Sequence, residues 1–161
     1  MSTPRPRTSR PAAPPKPPLP IGALFRFGLH EIRRLISAGV RDAGFEDVRP
    51  AHVTLFRWPG PDGRRPGEVA ADAQISKQRV NDLLRDLEHL GYLTLECDSD
   101  DNRARIIRLT PRGRRLHETA IGVHAQIEAE WSHAIGRRRY QQLRRTLDDL
   151  IRPADRHMPR Q

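Results

Sequence analysis

The stretch from Ser76 to Gly91 constrains this chain more than any other. Val80, Leu83, Leu84, Leu87 and Leu90 recur at three- and four-residue spacing, so in a helix they gather on one side. Gln78, Asn81, Asp82 and Arg85 fall on the opposite side. Ser76 suits the N-cap, because its side-chain oxygen can accept from the free amides of the next turn. Gly91 suits the C′ position, where a left-handed residue ends a helix. Before this helix, residues 67–74 read as a shorter one, carrying Glu68, Val69, Ala70, Ala71, Asp72 and Ala73, with a tight turn at Gln74-Ile75. After it, Tyr92–Cys97 and Ala104–Leu109 read as two strands around a polar tip from Asp98 to Arg103.

Helix, tight turn, helix and β-hairpin in that order make a winged helix-turn-helix, and the fold class expected is mainly α with a small β-hairpin wing. Such a reader clamps one helix by its apolar face and presents the other face to the major groove. Gln78 and Asn81 carry the amides that can read adenine edges, and Arg85 the guanidinium that can read guanine. Ser76 and Lys77 stand at the helix start, where phosphate contacts are favoured. An ordinary amphipathic surface helix has the same pattern; the short helix before it and the hairpin after it favour DNA reading. At the hairpin tip, Asp101 stands two residues before Arg103 and can hold its guanidinium in one orientation, which suits a narrow, electronegative minor groove. Arg105 is placed to assist at the phosphates. A solvated turn with casual charge pairing is the alternative.

Charge agrees with a polyanionic partner. The 161 residues carry a formal net charge of +9. Residues 1–20 hold eight prolines, Arg5, Arg7, Arg10 and Lys16 with no acid, and read as a disordered basic tail. Its role is open between a solvated leader and a sequence-independent grip on phosphates. Removing its four positive charges from +9 leaves +5 for the rest. Apolar residues make up 36 % and charged ones 30 %, so part of the chain is not expected to join a core. No run of 18 apolar residues exists and no apolar segment follows the basic N-terminus, so neither a membrane span nor a secretory signal is expected. Cys97 is the single cysteine, which fits a reducing compartment, and the cytoplasm is the expected location. No nucleophile elbow, phosphate-binding glycine loop or paired-carboxylate setting is present, so no enzyme, catalytic residue or cofactor is expected.

Flanking helices frame the winged segment. Residues 21–41 place Ile21, Leu24, Phe25, Leu29, Ile32, Leu35 and Ile36 at helical spacing, with Arg26, Arg33 and Arg34 on other faces. Pro50 suits the first turn of a helix carrying Val53, Leu55 and Phe56 and closed by Trp58. Pro59 to Gly63 is a turn. Thr110-Pro111 opens a long helix with Leu116, Ala120, Val123, Ile127 and Trp131. Gly136 interrupts it, and a last helix carries Tyr140, Leu143, Leu147, Leu150 and Ile151 before Pro153.

The segment from Glu68 to Leu116 resembles the MarR family of bacterial regulators. The resemblance rests on Gly67-Glu68-Val69-Ala70, Ile75-Ser76-Lys77-Gln78-Arg79-Val80, Leu87-Glu88-His89-Leu90-Gly91-Tyr92-Leu93, Asp98 through Ala104, and Leu109-Thr110-Pro111-Arg112-Gly113. With the flanking helices it covers roughly residues 25–151. It implies a homodimer whose first and last helices interleave, with the two recognition helices meeting successive major grooves of a pseudo-palindromic operator in double-stranded DNA. The domains expected are a tail (1–20), an N-terminal dimerisation helix and linker (21–48), the winged helix-turn-helix (49–110), C-terminal dimerisation helices (111–152) and a flexible tail (153–161). The resemblance places DNA contacts on Ser76, Lys77, Gln78, Asn81 and Arg85, and the minor-groove contact on Arg103 supported by Asp101. It departs from the family at Asn102, where a basic residue is common, and at Arg49, where a capping Thr or Ser is common. The proline- and glycine-rich loop at 59–65 and residues 1–20 also lie outside the common pattern.

The same resemblance implies a repressor relieved by a small phenolic or other anionic effector between the dimer helices and the winged domain. His30, Arg33, His52 and Trp58 come from segments that could line such a cleft; each also fits ordinary helix surface or core. Cys97 lies on a wing strand and not in the first helix, where an oxidant sensor would be expected. His117 and His124 stand two helical turns apart, about 10.5 Å, too far to share a metal without other ligands. With His133 nearby they keep a zinc sensor as an alternative, beside a non-specific architectural DNA-binding protein; no metal site is expected.

Overall fold

The computed structural model describes residues 18–56, 60–98 and 104–152. Among them the order is α1 (Ile21–Asp42), α2 (Pro50–Val53) running into a 3-10 turn (Thr54–Phe56), α3 (Pro66–Ala73), α4 (Lys77–His89), β1 (Leu93–Cys97), β2 (Arg105–Leu109), α5 (Pro111–Ile135) and α6 (Arg137–Ile151). The mainly helical class with one hairpin is the one expected from the sequence. Tail residues 1–17 and 153–161, Trp58 and the tip residues 99–103, Asp101 and Arg103 included, lie outside the described residues.

The core gathers on α4. Val80, Leu84 and Leu87 have no exposed surface and Leu83 has 2 %. At roughly 2 kcal/mol for each side chain removed from water, this one stripe is among the largest contributions to the fold. It meets Val69 and Ala70 of α3, Tyr92, Leu93, Ile107 and Leu109 of the hairpin, Leu116 of α5, and Val53, Leu55 and Phe56 around α2. Ile36 and Val40 of α1 join the same core, and α1 packs along α5.

Local chemistry fixes the ends of α4. The Ser76 hydroxyl oxygen accepts from the Arg79 amide at 3.2 Å. At the other end Gly91 takes φ +74. Its amide donates to the Glu88 carbonyl, and the Tyr92 amide donates to the Leu87 carbonyl at 2.8 Å, the paired bonds of a Schellman ending. Tyr92 is spent on that ending, so β1 begins at Leu93 and not at Tyr92. The turn before α4 depends on Gln74, the one non-glycine among the described residues with positive φ (54°), which lets the Ile75 amide reach the Ala70 carbonyl.

The hairpin pairs Leu93 with Leu109, Leu95 with Ile107 and Cys97 with Arg105. The loop before α3 lies along the outer edge of β2. The Gly63 amide donates to the Ile107 carbonyl (2.8 Å), the Ile107 amide donates to the Arg64 carbonyl (2.9 Å), and the Asp62 carboxylate accepts from the Leu109 amide (2.7 Å). The hairpin then presses against the first turn of α5, which Thr110 caps by accepting from the Gly113 amide (3.1 Å). A Cβ on Gly113 would lie 1.8 Å from the Tyr92 carbonyl oxygen, so only glycine allows this approach.

The helical ends differ. Among the described residues, α6 buries none of its side chains, and Leu143, Leu150 and Ile151 are exposed. Ile21, Leu24, Phe25, Phe27 and Leu29 in the first half of α1 are exposed as well.

Candidate nucleic-acid interface

Because Val80, Leu83, Leu84 and Leu87 clamp α4 from one side, its other side stands clear. Lys77, Gln78, Asn81 and Arg85 are exposed, and Gln78, Asn81 and Arg85 share a face at three- and four-residue steps. Arg85 is held along the helix: it donates to the Asp82 carboxylate (2.7 Å) and, more weakly, to the Asn81 carbonyl (3.4 Å). An exposed ion pair of this kind is worth about 1 kcal/mol or less, so a guanine edge can compete for the guanidinium. Ser76 uses an oxygen lone pair for the cap, and its hydroxyl hydrogen stays available to a phosphate oxygen. Arg105 lies apart from this face. Its guanidinium donates to the Leu95 carbonyl across the hairpin (3.0 Å), an arrangement that steadies the wing. Asp101 and Arg103 fall outside the described residues.

The base of the wing is anchored by a pair the sequence does not announce. Asp98, at the end of β1, is 4 % exposed and binds the Arg65 guanidinium at 2.5 and 2.8 Å. Its amide donates to the Ala104 carbonyl (3.0 Å), closing the neck below the tip. Arg65 occupies the N-cap of α3, where a short acceptor side chain would be expected; Glu68 accepts from its amide instead (2.8 Å), leaving the guanidinium to reach the wing. An arginine at an N-cap position before a proline was the one available signal.

A second anchor joins the loop before α2 to the end of α4. The Tyr92 hydroxyl donates to Asp47 (2.6 Å), and Arg112 donates to the same carboxylate (2.7 Å) and to the Leu90 carbonyl (2.9 Å) while lying over the Tyr92 ring. Burial and the Asp47 bond push the Tyr92 hydroxyl up to about 12. Burial alone would raise the Asp47 carboxyl, but the Tyr92 bond and the Arg112 charge outweigh it, leaving Asp47 below its ordinary value.

An open cleft of about 700 Å³ lies between α1, α2 and α5. Ile32, Ile36, Val53 and Phe56 give it an apolar floor, while Arg33, His124, Glu128 and Arg144 bring charge to it. Arg144 faces Glu128 at 3.6 Å. Of the four cleft residues expected from the sequence, Arg33 lines it, His30 does not, and Trp58 lies outside the described residues. His52 is corrected outright. It is 1 % exposed and turns from the cleft toward α4, because one helical turn has two faces and Pro50 and Val53 take the cleft side. There Arg49 touches both its ring nitrogens, and Asp86 of α4 lies 3.5 Å from Nε2. His124 and Arg144 reach the cleft from elements far along the chain. Among the described residues no three histidine, cysteine or carboxylate side chains gather as a metal site, and no helix is long and apolar enough to cross a membrane.

No protein-family model matches the chain, and no curated protein matches it. Solved structures do. A MarR transcriptional regulator from Methanosarcina mazei Go1 is 17 % identical, with 81 % of this chain and 93 % of that one superposed at a TM-score of 0.69. A MarR family regulator from Rhodococcus sp. RHA1 is 22 % identical over 83 % of this chain and 95 % of its own, with a TM-score of 0.63. CouR from Rhodococcus jostii RHA1, bound to p-coumaroyl-CoA, is 21 % identical over 85 % and 95 %, with a TM-score of 0.65. CouR bound to a 23-mer DNA duplex is 22 % identical over 82 % and 92 %, with a TM-score of 0.66. The architecture of this chain, a winged helix-turn-helix carried between helical ends, is therefore that of the MarR family regulators.

Proposed function

We propose that this chain is a sequence-specific, DNA-binding transcriptional regulator of the MarR type, acting in the cytoplasm as a homodimer and not as an enzyme. The observation that carries this reading is the exposed face of α4, with Lys77, Gln78, Asn81 and Arg85 set out by a fully buried stripe behind them and a wing beside them. The DNA-bound structure of CouR, which shares the fold, supports it. Ser76 and Lys77 contact phosphate, Gln78, Asn81 and Arg85 contact bases, Arg103 supported by Asp101 enters the minor groove, and Arg105 assists at the phosphates. The exposed apolar side chains of α1 and α6 are then covered by a second copy, which spaces two reading helices on a pseudo-palindrome. Repression relieved by a small molecule in the cleft, with Arg33 among its contacts, is supported by the apolar floor and charged rim there and by the p-coumaroyl-CoA complex of CouR.

The test is binding of the purified protein to its own upstream DNA and to a scrambled duplex at two salt concentrations, with Arg85→Ala and Arg103→Ala in parallel. The expected result is a preference for the upstream DNA that is lost in Arg85→Ala and weakened in Arg103→Ala. Equal binding to both duplexes by the wild type would instead indicate a non-specific architectural protein.

A further inference from the structure

The stretch from Asp47 to Thr54 faces two ways. Pro50, Val53 and Thr54 line the cleft. Asp47, Arg49 and His52 point to the other side and fasten α4 at two places. Asp47 holds its end through Tyr92 and Arg112. Arg49 and His52 hold its last turn through Asp86, which follows Arg85 directly in the chain.

The Asp86 fastening gathers two half-exposed side chains, Arg49 and Asp86, around one buried ring. The His52 ring is almost wholly enclosed. Its Nδ1 lies 3.2 Å from the Arg49 amide, its Nε2 2.9 Å from the Arg49 guanidinium, and the same guanidinium binds Asp86. A neutral imidazole has one bare nitrogen and can accept one of these donors; a protonated ring can accept neither. An enclosed ring nitrogen is costly to leave unpaired, and the groups that meet it come from Arg49 before α2 and Asp86 on α4, which ties the position of α2 to that of α4.

We propose that Arg49, His52 and Asp86 form a joint that positions α4 against α2, so that displacement of α2 at the cleft wall is carried to the face bearing Asn81 and Arg85. These three are positioning residues and touch no DNA. The inference rests on the reading of α4 as the DNA-reading helix. The charged groups acting on the ring are Arg49 on its own element, Asp86 on α4 and Asp47 in the preceding loop. Burial and the Arg49 charge, opposed by the two carboxylates, hold His52 below its ordinary value, so the ring is neutral at neutral pH. Protonation turns both ring N–H groups toward Arg49 and loosens the joint.

The test measures two things on wild type, His52→Gln, Asp86→Asn and Arg85→Ala at about pH 8 and at the acid edge of cooperative folding, the second chosen because His52 is held below the ordinary histidine range. One is hydrogen exchange of the α4 amides without DNA. The other is the ratio of affinities for upstream and scrambled duplexes. Wild type should lose α4 protection at the lower pH, beyond the intrinsic rate change, and its affinity ratio should fall several-fold. His52→Gln, which cannot charge, should keep both constant. Asp86→Asn should exchange faster at both pH values, with the ratio down by about threefold, the scale of one exposed ion pair. If Asp86→Asn leaves α4 exchange unchanged, or if His52→Gln follows the wild-type pH response, the joint is overturned. If exchange behaves as expected while Arg85→Ala keeps the full ratio, the joint stands and the assignment of α4 as the reading helix falls.

Discussion

The winged part of the molecule and its helical ends solve the burial problem differently. Around α4, four apolar side chains in thirteen residues are sealed by neighbours from the same chain. In α6, a comparable stripe of Tyr140, Leu143, Leu147, Leu150 and Ile151 has nothing buried in fifteen residues. The first half of α1 repeats the pattern with Ile21, Leu24 and Phe25. One chain is therefore sufficient for the winged core and insufficient for its ends. Exposed apolar patches rimmed by charge mark association sites, and here the patches are long helices, which suit pairing with their own kind.

Charge placed on the α6 stripe should break this contrast most severely. Leu143→Glu with Ile151→Glu is expected to convert a dimer to a monomer in sedimentation while a cooperative thermal transition survives. Affinity for the proposed operator should fall by roughly a hundredfold or more, because a second half-site would no longer add avidity. A double variant that still sediments as a dimer would refute the assignment of this face.

Truncation in the winged core comes next. Leu84→Ala should cost about 3 kcal/mol in denaturant unfolding, since Leu84 has no exposed surface and its space cannot collapse freely. The matching change Leu150→Ala should leave the unfolding of a monomer within about 0.5 kcal/mol and act on association instead. Equal effects of the two on unfolding would erase the difference between the regions.

A smaller effect is expected where the loop before α2 meets the wing. Tyr92→Phe should cost about 1 kcal/mol by removing the bond to Asp47. The sign with pH follows from Asp47, whose folded value is below its ordinary one. Its contribution is present above about pH 4 and is lost as pH falls through the acid range, and Tyr92→Phe should flatten that loss. His52 is likewise held below its ordinary value, but as a base it makes wild-type stability decline once pH falls below the usual histidine range near 6.5. An acid limb that is unchanged in Tyr92→Phe would remove Asp47 from the account.

The smallest change sharpens the turn before α4. Gln74 sits in the left-handed region, so Gln74→Gly relieves strain and should raise stability by up to about 1 kcal/mol, read as a small rise in Tm. A fall would mean that the side chain of Gln74 supports the turn by more than its backbone strain.

These regions also differ in how far they can be read from residues alone. The α4 stripe, its Ser76 cap, the Gly91 ending and the Thr110-Pro111 start of α5 are local patterns, and local patterns carry their own signal in spacing. Arg65 with Asp98, Arg49 with Asp86, and Tyr92 with Asp47 join residues 33, 37 and 45 positions apart, and no periodicity announces such pairs. His52 illustrates the difficulty. Its segment does border the cleft, but on a single turn the next residue faces away, and without knowing where α4 lies the side cannot be chosen. Arg33 sits on a long helix whose faces are distinguishable from the apolar stripe, while His124 and Arg144 reach the cleft through the packing of α5 against α1 and of α6 against α5.

The close approach of Gly113 to the Tyr92 carbonyl has a mechanical meaning. It welds the hairpin to the first turn of α5, and α5 runs for 25 residues, about 37 Å. A rigid arm of that length gears a small tilt at its far end into a large displacement at the wing. A rotation of roughly 5° moves the welded end by about 3 Å on that length, close to the roughly 3.4 Å rise of one base pair. With no slack at the weld, a change in the angle between two such arms in the proposed dimer steps the reading heads along the duplex, and a single methyl group at position 113 would take the arm out of gear.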